Sequence, residues 1–173
     1  EQGTYLGLIS EEMLEFYRKQ NINTLQLLPI AACMHEPHLL DMGKVNYWGY
    51  NPYLIMVPDP RYAQKDAVTE LKTAIRELHR HGIEVILDVV YNHSAEGGED
   101  GPIFNLKALD PKYYLKHGQH YANFTGCGNT IDLSYQPALN LVMDTLRYWV
   151  SEYQVDGFRF DLAATLGRNG DNF

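Results

Sequence analysis

Arg159 and Asp161 lie two residues apart in the run Val155-Asp-Gly-Phe-Arg-Phe-Asp-Leu162. On a strand their side chains share one face, while Phe158 and Phe160 take the other. Burying an Arg beside an Asp costs several kcal/mol before pairing returns any of it, so a chain that places the pair at a strand's end is using the charges. A second run behaves alike. In Gly82-Ile-Glu-Val-Ile-Leu-Asp-Val-Val-Tyr-Asn-His93, Asp88 closes an apolar stretch and Asn92 and His93 follow it. Carboxylates, a guanidinium and an imidazole at strand ends are the materials of an active site. Taken alone, Arg159–Asp161 is about equally well explained as a structural ion pair, since such pairs perturb pKa values too. His93 alone reads as a satisfied polar residue at a strand end.

These groups must be positioned, and the chain alternates helix and strand to do it. Ser10 can cap a helix over about 11–20 with Met13, Leu14 and Tyr17 on one side. Ile22-Asn-Thr-Leu-Gln-Leu-Leu-Pro-Ile30 reads as a buried strand, followed by a long loop to about residue 66 with Gly43, Gly49, Pro52, Pro58 and Pro60 as breakers. Asp66 caps a helix to about His81, where Val68, Leu71, Ile75 and Leu78 hold helical spacing and Gly82 ends it. A strand over 83–90 leads into a second long loop through about 136. Pro137 opens a helix with the stripe Leu139, Val142, Leu146 and Trp149, Val150 beside it; a last strand spans about 155–161 and the tail 167–173 is loop.

The order αβαβαβ with near-continuous apolar strands predicts a parallel sheet covered on both faces. Functional-looking residues gather at the C-terminal strand ends, the habit of (β/α)8 barrels and doubly wound sheets. Loops this long serve binding or catalysis. No glycine-rich phosphate loop follows a strand, which argues against a nucleotide-binding fold. Three strands fall short of the eight that a barrel builds over roughly 250 residues, and a bare three-stranded sheet is a poor independent unit. The residues alone thus predict an α/β fold with three parallel strands, their helices and long βα loops, a barrel and a doubly wound sheet both fitting, as a segment of a larger protein.

Composition narrows the partners. Hydrophobic content of 45% over 173 residues suffices for a real core. A net charge of −8 without a basic run excludes phosphate-backbone binding and disfavours anionic membranes. No apolar segment approaches the roughly 20 residues that span a bilayer, and the start is no signal peptide. Cys33 and Cys127 are too few for a disulfide scaffold, which fits a reducing, cytoplasmic home. His35-Glu-Pro-His38, with Cys33 and Asp41 nearby, offers ligand-type side chains. Pro37 interrupts them and no helix fixes their spacing, so a substrate-facing loop is expected, with no metal and no cofactor. Glu96, Glu99 and Asp100 sit among Gly97, Gly98 and Gly101 and read as an acidic, solvated turn without an EF-hand pattern. Thirteen Tyr, two Trp and six Phe supply flat faces that suit sugar rings, although most must be core.

Asp88-Val-Val-Tyr-Asn-His93 and Gly157-Phe-Arg-Phe-Asp161 resemble the first and second signature regions of the α-amylase superfamily (glycoside hydrolase family 13). Tyr47-Trp-Gly-Tyr-Asn51 resembles the loop that helps build its −1 sugar subsite. Val45-Asn-Tyr-Trp-Gly-Tyr-Asn-Pro52, Gly126-Cys-Gly-Asn-Thr130, Leu146-Arg-Tyr-Trp149 and Asp156-Gly-Phe-Arg-Phe-Asp-Leu-Ala-Ala164 are similar to bacterial isoamylase-type glycogen debranching enzymes, and the likeness runs from Gly3 to Arg168. The resemblance implies a partial (β/α)8 TIM-type barrel, about three of its eight parallel strands, with residues 1–173 part of one catalytic barrel domain whose first strand and C-terminal half are absent. It also implies retaining hydrolysis of a branched α-glucan such as glycogen or limit dextrin, at α-1,6 branch linkages. It implies Asp161 as nucleophile, with Arg159 holding it ionised and oriented. Asp88, Asn92 and His93 would shape the −1 subsite, His93 donating to a sugar hydroxyl; Tyr50 would stack on the −1 ring, with Trp48 nearby.

Retaining hydrolysis needs a second carboxyl about 5–5.5 Å from the first, as general acid. In the family it comes from the strand after the next helix, and a third acid later still. The chain ends at Phe173, before both, so this segment is expected to carry the nucleophile without the acid and to be inactive by itself. Ala164 and Thr165 stand where many α-1,4 amylases carry Lys-His, which agrees with debranching. An α-1,4-glucan or maltooligosyltrehalose hydrolase of the same superfamily, a non-catalytic glucan-binding subunit, and an unrelated metal hydrolase using Asp88, His93 and Asp161 stay open as alternatives.

Overall fold

The computed structural model describes residues 2–168; of the expected C-terminal loop, 169–173 lie outside the described residues. Helix α1 (Glu11–Lys19) starts at Ser10, whose hydroxyl oxygen accepts from the Met13 N–H at 3.3 Å and satisfies one first-turn donor. Strand β1 (Thr24–Leu27) follows. The chain then forms β2 (Ala31–Cys33), the short helix α2 (Pro37–Asp41) and β3 (Pro52–Pro58), with β2 and β3 antiparallel. Helix α3 (Ala67–Arg80) is capped by Asp66, which accepts from the Thr69 N–H at 2.7 Å, and leads into β4 (Glu84–Val89). Next come the single turn α4 (Leu106–Leu109), the hairpin β5 (Lys116–His117) with β6 (His120–Tyr121), and the long helix α5 (Gln136–Tyr153). The last elements are β7 (Gly157–Phe160) and α6 (Ala163–Leu166).

β1, β4 and β7 form one parallel sheet in the order β1-β4-β7. Its core packs Val85 and Leu87 against Leu71, Ile75 and Leu78 of α3, and joins Val142, Trp149 and Tyr153 of α5. Leu71 and Leu78 are fully buried, each stabilising the fold by about 1.5–3 kcal/mol. Burial is nearly continuous only in β4, the central strand, from Val85 to Val89 with Ile86 half-buried. β1 and β7 each have a neighbour on one side, so Leu28 beyond β1 and Phe160 at the end of β7 stay exposed.

Two expectations are corrected. The stretch before residue 66 is not irregular: Pro52 and Pro58 bound a strand instead of breaking one, because Pro is tolerated at a strand's first residue and on edges. The buried stripe of α5 is Ala138, Val142, Thr145, Trp149 and Tyr153, while Val150 is 49% exposed. Trp149 decides that face, since its indole N–H donates to the Ile55 carbonyl of β3 at 3.1 Å. Among the described residues no helix is long and apolar enough to cross a membrane.

Candidate active site

The register of the parallel sheet sets Asp88 of β4 opposite Arg159 of β7. Asp161 lies just past β7, yet its N–H donates to the Val89 carbonyl at 3.0 Å. The ladder thus continues one step, and Asp161 keeps the face that Arg159 occupies. Arg159 Nη1 donates to both oxygens of Asp88, at 2.9 and 3.0 Å, and to Asp161 Oδ1 at 3.0 Å. The Asp88 carboxylate is 1% exposed and the Arg159 side chain 42%, so the acid is the buried foundation and the guanidinium the open rim. The hydrogen bonds to Asp88, more than those to Asp161, hold Arg159 still more firmly charged. Two carboxylates around one guanidinium leave the cluster with one net negative charge.

Asn92 Nδ2 donates to the Asp161 carbonyl at 2.9 Å and to its Oδ2 at 3.1 Å. Each Asp161 carboxylate oxygen therefore has one protein donor, Arg159 on Oδ1 and Asn92 on Oδ2, with lone pairs remaining. Leu162, next in the chain, is held in the left-handed region at φ 42° and ψ 45°, a conformation that costs a non-glycine residue about 1–3 kcal/mol. Thr165 anchors the turn by donating its hydroxyl and its N–H to the Leu162 carbonyl at 2.8 and 2.9 Å.

Tyr50 reaches the cluster from the loop before β3. Its hydroxyl donates to Asp88 Oδ2 at 2.6 Å, and its ring centroid lies 6.0 Å from the Arg159 guanidinium carbon, the outer limit of a cation–π contact. Burial, and then the hydrogen bond to Asp88, push the phenol up to about 12. Gly49 makes this placement feasible: its φ is +84°, and a Cβ there would come 2.6 Å from the Pro29 carbonyl oxygen. The loop is pinned by Asn46, whose N–H donates to His35 Nδ1 at 3.0 Å and whose amide donates to Glu36 at 2.8 and 3.0 Å. His35 and Glu36 are thus loop anchors. Trp48, 64% exposed, rides the same loop outside the hydrogen-bonded network.

His93 is brought beside these groups but turned inward. It is buried, with Nε2 against the Tyr50 carbonyl at 3.0 Å and Nδ1 against Asn92 Oδ1. A hydrogen bond from His93 to a sugar would have to replace the one to Tyr50. Burial pushes the imidazole below its ordinary value, against the opposing pull of that carbonyl and of Asp161.

The sequence reading missed a second charged centre. Glu96, expected in a solvated turn, is fully buried. Its Oε1 accepts from the N–H groups of Phe104 and Asn105 at 3.0 and 2.9 Å; its Oε2 accepts from the Lys107 N–H at 3.0 Å and the Tyr114 hydroxyl at 2.5 Å. Burial raises this carboxyl, but the Tyr114 hydroxyl and the backbone donors outweigh it and hold the group below the usual range. Its one sequence signal is the glycine bracket, since a Cβ on Gly101 would stand 2.0 Å from the Glu96 carbonyl oxygen. Among the described residues no group of three or more His, Cys, Asp and Glu side chains is arranged to hold a metal ion.

No family model matches the chain. Over 170 residues it is 49% identical to a glycogen debranching enzyme of Erwinia tasmaniensis, covering 96% of this chain and 26% of that protein. It is 45% identical over 175 residues to the glycogen operon protein GlgX homolog of Mycobacterium tuberculosis, covering 96% and 24%. Among solved structures it is similar to a pullulanase from Paenibacillus barengoltzii in complex with maltohexaose and α-cyclodextrin. There the TM-score is 0.82 and the identity 30%, over 94% of this chain and 27% of that one. The chain spans about a quarter of the length of the curated relatives it matches. Identity of this order over nearly the whole chain, joined to a pullulanase-like fold and to both strand-end motifs, relates this segment to the isoamylase-type members of the α-amylase superfamily, over about a quarter of their length.

Proposed function

We propose that the chain is the nucleophile-bearing part of a retaining α-glucan hydrolase that debranches glycogen or limit dextrin at α-1,6 linkages. The observation that carries this reading is Arg159 bound at once to Asp88 and Asp161 at the ends of two adjacent parallel strands. In this reading β1, β4 and β7 are successive strands of one (β/α)8 barrel, of which residues 1–173 form a part, in a cytoplasmic protein.

Asp161 attacks the anomeric carbon as the glycosidic C–O bond breaks and the leaving glucan oxygen takes a proton from the general acid; water then hydrolyses the resulting glycosyl–enzyme ester. Arg159 and Asn92 fix the attacking carboxylate, one on each oxygen, so little reorganisation is left for the transition state. The cluster's net negative charge faces the positive charge that builds on the sugar ring. With its phenol at about 12, Tyr50 stays protonated at neutral pH and keeps donating to Asp88, which leaves its ring as a fixed stacking surface for the −1 sugar. Trp48 lies farther out on the same loop. A general acid about 5–5.5 Å from the nucleophile completes a retaining site.

Reducing-end release by the full-length protein, from branched limit dextrin and from linear maltooligosaccharide, tests the reading. Preferential cleavage of the branched substrate, lost in Asp161→Asn with glucan binding retained, is the expected result. Appreciable turnover by Asp161→Asn removes the nucleophile assignment, and a preference for linear glucan removes the debranching assignment.

A further inference from the structure

Lys107 is buried, and its ammonium is held by main-chain oxygens. Nζ donates to the Glu96 carbonyl at 2.7 Å, to the Gly98 carbonyl, and to the Gly101 carbonyl at 3.4 Å. The Tyr121 ring closes a further side, its centroid 5.1 Å from Nζ. An ammonium has three N–H donors and no acceptor, so three carbonyls saturate it. The Glu96 carboxylate does not pair with this ammonium; it is taken up by backbone N–H groups and Tyr114.

This shell is what a weakly hydrated monovalent cation finds in a protein: convergent carbonyl dipoles in place of water, and an aromatic face. It is also built tightly. A Cβ at Gly101 would overlap the Glu96 carbonyl oxygen at 2.0 Å, and one at Gly128 would lie 2.5 Å from the Gly98 nitrogen. Only glycines let the 96–101 turn fold closely enough to bring its carbonyls onto one point. Burial lowers the basicity of the amine, and the charges of Glu96, Glu99 and Asp100 oppose that.

We infer that the 96–101 turn is a monovalent-cation site that the protein fills with its own Lys107 side chain, and that trimming the side chain opens the site to small primary ammonium ions. The tethered ammonium orders the turn. This inference stands apart from the assignment of Asp161, because it concerns a different set of atoms and reads out in stability.

The test uses Lys107→Ala in the full-length protein. It should lower Tm by more than about 5 °C and speed amide exchange across residues 94–107. The deleted atoms are those of n-propylammonium, so n-propylammonium chloride should restore much of both. Sodium chloride at equal ionic strength and neutral 1-propanol should not. Equal responses to propylammonium and sodium would overturn the proposal. Lys107→Met, which fills the channel without the charge, should lose comparable Tm and ignore propylammonium; a Met variant as stable as wild type would also overturn it. Should neither variant fold, native wild-type protein decides. Lys107 should resist reductive methylation under conditions that modify the exposed Lys65 and Lys112, and ready methylation of Lys107 would overturn the proposal.

Discussion

At the ends of β4 and β7 a buried carboxylate, Asp88, is matched by a guanidinium that is itself 42% exposed. A few residues further along, Glu96 and Lys107 are both buried, and each is satisfied almost wholly by backbone groups. Both places overcome the cost of taking charge out of water, but by different means. Backbone amides and carbonyls cannot leave when a ligand arrives, so Glu96 and Lys107 have no valence free and serve to shape a loop. Side-chain partners supply the strand-end cluster, and one flank of it stays open. There Asp161 keeps lone pairs and Arg159 keeps donors. Partner type, more than burial, separates charge that builds a loop from charge that can act on a ligand.

The largest test of that contrast is Asp161→Asn. It should reduce kcat at least about a thousandfold while glucan binding, followed by calorimetry, changes little. Next is Arg159→Lys. A single ammonium on a flexible stem cannot bridge Asp88 and Asp161 as the planar fork does, and a loss near a hundredfold in kcat is expected with the fold intact. Its stability loss should stay below the about 3–5 kcal/mol of broken fully buried pairs, because Arg159 is partly exposed. If Arg159→Lys kept full activity, the claim that the fork positions Asp161 would fall.

Glu96→Gln should invert the pattern. The carboxylate loses charge and one oxygen in a site made of N–H and O–H donors, for an expected cost of about 2–3 kcal/mol in denaturant unfolding. Turnover at a temperature where the variant is folded should stay near wild type. His93 offers a smaller effect through pH. Burial holds its folded-state value below the ordinary 6.5, so the unfolded chain takes up a proton first as pH falls. The stability this contributes is fully present above about 6.5 and drains as pH drops through the lower folded value. Chemical denaturation of wild type against His93→Asn between pH 7 and 5 should show the difference shrinking with acidity; a constant difference would mean that His93 is not depressed.

Much of this frame was legible in the residues. Helix α3 reads from Leu71, Ile75 and Leu78 with an Asp cap, and Arg159 and Asp161 share a face because strand periodicity is local. The Asp88–Arg159 contact was not legible, since register between strands 71 residues apart is set by how α3 and α5 pack, which no short spacing encodes. β3 was hidden because its apolar run begins and ends in proline. Glu96 was hidden because glycines around an acid resemble a solvated turn, and the donors that satisfy it include the amides of residues 104, 105 and 107, which composition cannot announce.

The smallest effect sharpens the contrast most, because Tyr50 touches the cluster with one atom. Tyr50→Phe deletes the hydroxyl that donates to Asp88 at 2.6 Å and keeps the ring. Asp88 still holds Arg159 through both oxygens, so the loss should be near the about 1 kcal/mol of one hydrogen bond, a few-fold in kcat/KM. Tyr50→Ala removes the ring as well and should cost several times more, mainly in kcat on good substrates. If Phe and Ala variants lose equally, the hydroxyl carries the function and the ring does not stack on the sugar. If Phe matches wild type and Ala does not, the ring acts on substrate and the hydroxyl only keeps Asp88 in place.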